Sequence, residues 1–255
     1  MCLIFLSLNN HPTYKLVVAA NRDEFYERHT AAADYWQNNP DILGGRDLKA
    51  HGTWLAMTTS GKISLLTNYR DPAHINANAP SRGQLVSDFL EKEIEAESYL
   101  KEVQKNGKLY NGFNLLAGTV DDVQYYSNYA TDIKRLTPGS YGLSNHLLDT
   151  PWPKVVRGKS KFHPLLQRSE INPEDLFEFL YDDQRAQDDQ LPDTGIGLER
   201  ERALSSMFIK TPNYGSRCST VILVDKENHV LFAERVYDLE TFEYSLKNFE
   251  FTLRE

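Results

Sequence analysis

The chain has 255 residues, 40% of them apolar and 25% charged, and a net charge of −8. That length supports a sizeable core, and the composition is that of an ordinary globular protein. An acidic chain with no Lys/Arg-rich block lacks the clustered cations that phosphate backbones require, which excludes a nucleic-acid-binding role, and its two cysteines, Cys2 and Cys218, are too few for a secreted disulfide framework.

Leu3–Leu8 and Lys15–Ala20 are apolar runs of strand length, rich in β-branched and aromatic residues, on either side of an Asn9-Asn10-His11-Pro12 turn. If they pair as a hairpin, Cys2 lies at the same end of the sheet as Asn21-Arg22-Asp23-Glu24. Residues 26–52 read as polar and irregular, with tight turns at Gly44-Gly45 and Gly52. Thr53–Thr59 and Lys62–Thr67 flank Ser60-Gly61, a two-residue hairpin turn. From Ser81, apolar residues recur at helical spacing through Val103, predicting one helix closed by Asn106-Gly107. Asn111–Thr119 and Val123–Asn128 form a further hairpin pattern, followed by a glycine- and serine-marked segment at Gly139–Asn145. Helices are predicted over about 154–167, 172–183 and 198–206, with an acidic connector at 182–197. Strands are predicted at Ser219–Asp225, His229–Val236 and Phe242–Leu253. Hairpin-linked strands interrupted by a helical block at about 150–206 indicate an α+β fold of antiparallel sheets, read as a single domain over residues 1–255.

The amino terminus carries the main functional lead. Removal of Met1, which a small second residue permits, would give Cys2 both a thiol and the α-amine. The thiol titrates near ~8.5 and the amine near ~7.7–8.0, so the amine can take the thiol's proton and one residue supplies nucleophile and base. Arg22 would favour the thiolate and orient an acyl carboxylate or carbonyl. Asp23, with Glu24 as second choice, would fix the ammonium or the guanidinium. The same residues also read as a small buried hydrophobe and a solvated turn.

Several segments together resemble one family: Cys2, Ala20-Asn21-Arg22-Asp23-Glu24, Gly44-Gly45-Arg46-Asp47, Gly52-Thr53-Trp54-Leu55, Leu66-Thr67-Asn68-Tyr69-Arg70, Ser81-Arg82-Gly83, Tyr110 to Leu115, Gly142-Leu143-Ser144-Asn145 and Ser219-Thr220-Val221. In this order they resemble the NRDE-motif proteins, the family of transport and Golgi organisation protein 2 homologues. The resemblance implies a four-layer αββα sandwich similar to N-terminal-nucleophile (Ntn) hydrolases such as bile-salt hydrolases and penicillin V acylases. It implies a catalytic set of Cys2, Arg22, Asp23, Asn68, Asn145 and Arg217, with the asparagines holding the oxyanion. Those enzymes space the acid three residues past the arginine, where this chain has Phe25. The implied functions are a cysteine amidohydrolase or acyltransferase acting on a non-peptide amide or thioester, or a non-catalytic carrier of haem, acyl-coenzyme A or lipid.

Dispersed histidines give no metal-ligand spacing, so neither a metal nor a cofactor is expected. Cys218 and the Arg46-Asp47 pair read as structural. Residues 2–8 lack a basic leader, and no run of about 18 apolar residues occurs, so the expectation is a cytoplasmic protein without membrane insertion. The expected partner is a small-molecule substrate or hydrophobic ligand.

Overall fold

A computed structural model describes residues 2–254; the processing of Met1 lies outside the described residues. Two antiparallel sheets stack face to face. Cys2–Leu8 (β1) and Tyr14–Phe25 (β2) form the expected hairpin. They are joined in a six-stranded sheet by Gly139–Leu143 (β10), Tyr214–Asp225 (β11), His229–Tyr237 (β12) and Tyr244–Thr252 (β13), in the order β10-β1-β2-β11-β12-β13. The seven-stranded sheet runs in chain order through Thr30–Trp36 (β3), Asn39–Asp47 (β4), Leu55–Thr58 (β5), Lys62–Asn68 (β6), Phe113–Thr119 (β7), Val123–Ser127 (β8) and Lys134–Arg135 (β9).

Alternation along the strands builds the layers. Cys2, Ile4, Leu6 and Leu8 of β1 and Leu16, Val18 and Ala20 of β2 face the other sheet, packing with Leu55, Leu65 and Phe232. Their neighbours Leu3, Phe5, Val17 and Ala19 face outward, under the helices Pro153–Leu166 (α3) and Pro173–Leu180 (α4). Helix α3 runs so close to β1 that a Cβ on Gly158 would meet Phe5 at 1.9 Å, so only glycine fits there. Gln84–Glu91 (α1) and Ala96–Asn106 (α2) cover the outside of the seven-stranded sheet. The result is the expected four-layer sandwich. The short helix Leu198–Ala203 (α5) precedes β11.

Two expectations fail. Residues 26–52 are not irregular: they hold β3 and β4, hidden from a run-length reading because their ladder is broken, with register shifts between Ala31 and Asp34 and between Tyr35 and Trp36. The helix expected from Ser81 to Val103 is two helices. Lys92 and Glu95 are extended, at ψ 143° and 145°, and this break lets α1 and α2 each bury an apolar face at its own angle. Gly139–Asn145 also proves to contain a strand, β10, hydrogen-bonded to β1. Among the described residues no helix is long and apolar enough to cross a membrane.

Candidate active site

Register fixes the central geometry. Cys2 stands directly across the β1–β2 ladder from Arg22, and on β2's other side Arg22 stands across from Cys218. Cross-strand partners share a face, so all three side chains enter the space between the sheets. Arg22 is 4% exposed, lies 4.3 Å from the Trp54 ring centre and donates from Nη1 to Thr30 Oγ1 at 3.1 Å. Cys2 is buried, and burial raises its thiol pKa. The charges of Asp23 and Glu24 push the same way, while the Arg22 cation opposes them.

The neighbouring position on β2 faces the helices. Asn21 donates to the carbonyls of Leu180 and Met207 at 2.9 Å each. Asp23, buried on the same face, accepts from Ser216 Oγ at 2.6 Å. Burial raises the Asp23 pKa, while Lys154 and the Ser216 hydrogen bond pull it down. Lys154, in the first turn of α3, is 2% exposed; burial brings its pKa down to about 8 against the pull of Asp23. Glu24 returns to the Arg22 face. Its pKa is lowered: burial disfavours its charge, while the Phe25 N–H and the cations of Arg22 and Arg28 are among the groups that favour it. Asp23 and Glu24 thus occupy opposite faces at the head of the hairpin.

The two asparagines meet at the end of β6. Asn145 Nδ2 donates to the Asn68 carbonyl at 3.0 Å, and its own carbonyl accepts from Arg70 N at 2.7 Å. Its Oδ1 accepts from Ser144 Oγ at 3.2 Å and from Lys154 Nζ at 3.4 Å. Asn145 is therefore a committed buried strut between the sheets. The Asn68 carboxamide makes no hydrogen bond among the described residues. Arg217 is the extra residue at a register shift between Ser216 and Cys218. Its Nη1 donates to the carbonyls of Phe25 and Tyr26 at 3.0 and 2.7 Å, clamping the end of β2. The structure thus brings Cys2, Arg22 and Asp23 to the head of the hairpin, links Asn145 to them through Lys154 and to Asn68 only through the Asn68 backbone carbonyl, and gives Arg217 a scaffold contact. A surface groove of about 600 Å³, lined by Arg157, Gln184 and Gln190 among others, contains none of these six residues.

Sequence reasoning missed Lys154, Glu234 and the Arg70–Glu201 ion pair. That pair, 2.6 Å long and buried, lies beside Trp152 and ties β6 to α5. Two of the misses carry a readable signal. Lys154 falls on the α3 stripe of Gly158, Phe162 and Leu165, and Glu234 follows Val230 and Phe232 at inward-facing positions of β12. A charge on an apolar stripe is the informative exception. Among the described residues no cluster of three or more His, Cys, Asp or Glu side chains is placed to hold a metal ion.

The family model described as Transport and Golgi organisation 2 matches residues 1–239. The human transport and Golgi organization protein 2 homolog is 42% identical, with all of both chains covered. The Drosophila melanogaster transport and Golgi organization protein 2 is 32% identical over 92% of this chain and 91% of its own. Among solved structures, a mutant of the conjugated bile acid hydrolase from Clostridium perfringens superposes with a TM-score of 0.51 at 8% identity, covering 99% of this chain and 97% of that one. A Caenorhabditis elegans N-acylethanolamine-hydrolyzing acid amidase ortholog does so with a TM-score of 0.51 at 10% identity, covering 87% and 92%. These likenesses show a shared Ntn-hydrolase fold.

Proposed function

Because the chain belongs to the Transport and Golgi organisation 2 family and has the Ntn-hydrolase fold, we propose that it is an N-terminal cysteine nucleophile enzyme acting on a non-peptide amide or thioester. The observation that carries this reading is the Cys2–Arg22 cross-strand pair at the head of the hairpin. Once Met1 is removed, the Cys2 α-amine takes the thiol proton and Arg22 favours the thiolate. The sulfur attacks the acyl carbon, and the carbonyl oxygen becomes an oxyanion that the Asn68 carboxamide is left to receive. Collapse expels the amine or thiol, which leaves with the proton held by the α-amine. Water or a second acceptor then releases the acyl group. Asp23 anchors the ammonium, Asn145 holds the Asn68 backbone, and Arg217 secures the end of β2.

Incubation with an acyl thioester followed by intact-mass analysis tests this. The expected product is a chain beginning at Cys2 with one acyl group added, lost in Cys2→Ser and kept in Cys218→Ser. A mature chain that retains Met1, or acylation without preference for Cys2, overturns it. One observation favours a second reading: burial raises the Cys2 thiol pKa, which opposes nucleophilicity. In that reading the protein carries haem, acyl-coenzyme A or a related hydrophobic ligand without turnover, and titration with each ligand gives a spectral or thermal shift that Cys2→Ser preserves.

A further inference from the structure

Arg22 borders a second space that the nucleophile reading leaves unused. A cavity of about 80 Å³ lies between the sheets, lined by Arg22, Trp54, Ala32, Cys218, Glu234 and Arg217 among others. That is roughly the room of two or three waters, or of one small organic group. Two ladder faults adjoin it. One is the extra residue Arg217 in β11. The other is the lapse in β3–β4 pairing between Ala31 and Asp34, which frees the Ala33 N–H to donate to Glu234 Oε1 at 2.7 Å. Bulges bend strands and re-aim side chains, and here one in each facing sheet stands at the same gap.

The charges around the gap are unequally satisfied. Burial raises the Glu234 pKa, and the carboxyl group is already occupied by the protein, accepting from the Ala33 N–H, from Thr220 Oγ1 at 3.3 Å and from the Cys218 thiol. Arg22 is the opposite case. Its guanidinium offers five N–H donors, and among the described residues it makes a single hydrogen bond, to Thr30. Contact with the Trp54 ring holds its position, and Arg217 adds a second cation at the cavity wall.

We infer that this cavity binds a small monoanionic carboxylate, clasped by the open edge of the Arg22 guanidinium, with its alkyl end against Trp54 and Ala32. A planar guanidinium matches a carboxylate bidentately, which a point charge does not. The inference does not require Cys2 to react.

The test titrates the full chain with sodium acetate and sodium propionate against sodium chloride at equal ionic strength. Tryptophan fluorescence and calorimetry follow binding. Saturable binding of both carboxylates is expected, with no response to chloride. Arg22→Gln and Ala32→Leu, the second filling the gap from β3, each weaken it by about tenfold or more. Arg135→Gln, which removes an exposed guanidinium far from the gap, leaves it unchanged. Unfolding curves confirm that each variant is folded, and either of the two site variants suffices alone. A carboxylate response equal to that of chloride shows a cavity holding only solvent, and binding that survives both site variants places it elsewhere; each overturns the inference.

Discussion

Arg22 has a cysteine on either side, and the two flanks differ in one respect. Cys2 and Cys218 both pair with Arg22 and both are buried. Two strand spacings of about 4.8 Å hold their rows roughly 9–10 Å apart, beyond disulfide reach. On the Cys218 flank the thiol donates to Glu234, and burial together with that anion carries its pKa well above the ordinary range. On the Cys2 flank burial raises the thiol pKa, but the nearest acids lie at the head of the hairpin, Asp23 facing the helices and Glu24 beside Arg28 and Arg22. One cation cannot activate two thiols equally when one is hydrogen-bonded to a buried carboxylate. Burial raises both thiols, and a carboxylate hydrogen-bonded to the sulfur adds to it only on the far flank, at Cys218; under the enzyme reading Cys2 is the thiol that Arg22 serves.

The largest effect comes from breaking that far flank. Glu234→Ala removes the acceptor for the Ala33 N–H, Thr220 and the Cys218 thiol. Each buried donor left without its acceptor costs about 1–3 kcal/mol, and here up to three lose theirs, measured as a lower midpoint in urea unfolding. Glu234→Gln keeps the shape while removing the charge. It is expected to lower the Cys218 pKa and raise its iodoacetamide labelling relative to Cys2. Unchanged labelling of Cys218 would show that burial alone suppresses it.

A smaller effect separates the two asparagines. Asn145→Ala removes three side-chain hydrogen bonds from a fully buried position, at a cost of about 1–3 kcal/mol. Asn68→Ala removes a carboxamide with no partner among the described residues and is expected to change stability by less than about 0.5 kcal/mol. If the enzyme reading holds, Asn68→Ala instead lowers acylation of Cys2. Equal loss of stability in both variants would contradict the division of roles.

How much of this was readable follows from what each feature depends on. The β1–β2 hairpin was legible because turn residues separate two apolar runs, and the four layers followed from the family likeness. β3 and β4 were not, because their alternation is interrupted by the bulge that releases Ala33 toward Glu234. The break between α1 and α2 escaped because Ile94 keeps the helical period across it. At the site, Cys2 and Arg22 were legible as a pair, whereas Asp23 facing the helices could be read only from parity along β2, once the Cys2–Arg22 register was known. Lys154 lies 131 residues along the chain from Asp23, and Glu234 201 from the Ala33 N–H it accepts, so no local pattern links these partners.

The subtlest test contrasts Asp23 with Glu234: burial raises both, but the strongest opposition is the buried Lys154 cation at Asp23 and the Ala33 N–H hydrogen bond at Glu234. Burial holds the Lys154 pKa at about 8, against an ordinary lysine value near 10.5. Between those values the folded chain carries fewer protons on this residue than the unfolded chain, so its contribution to stability rises with pH. Below about pH 8 both states are charged and the contribution is flat. Tyrosines and thiols raised by burial slope the other way at high pH, so the quantity to measure is the difference in unfolding free energy between the native sequence and Lys154→Met. That difference should climb by about 1 kcal/mol over the first pH unit above 8, within the limit of about 1.4 kcal/mol per unit for one proton. Parallel curves would mean that Lys154 stays charged in the folded state, with Asp23 fully compensating its burial.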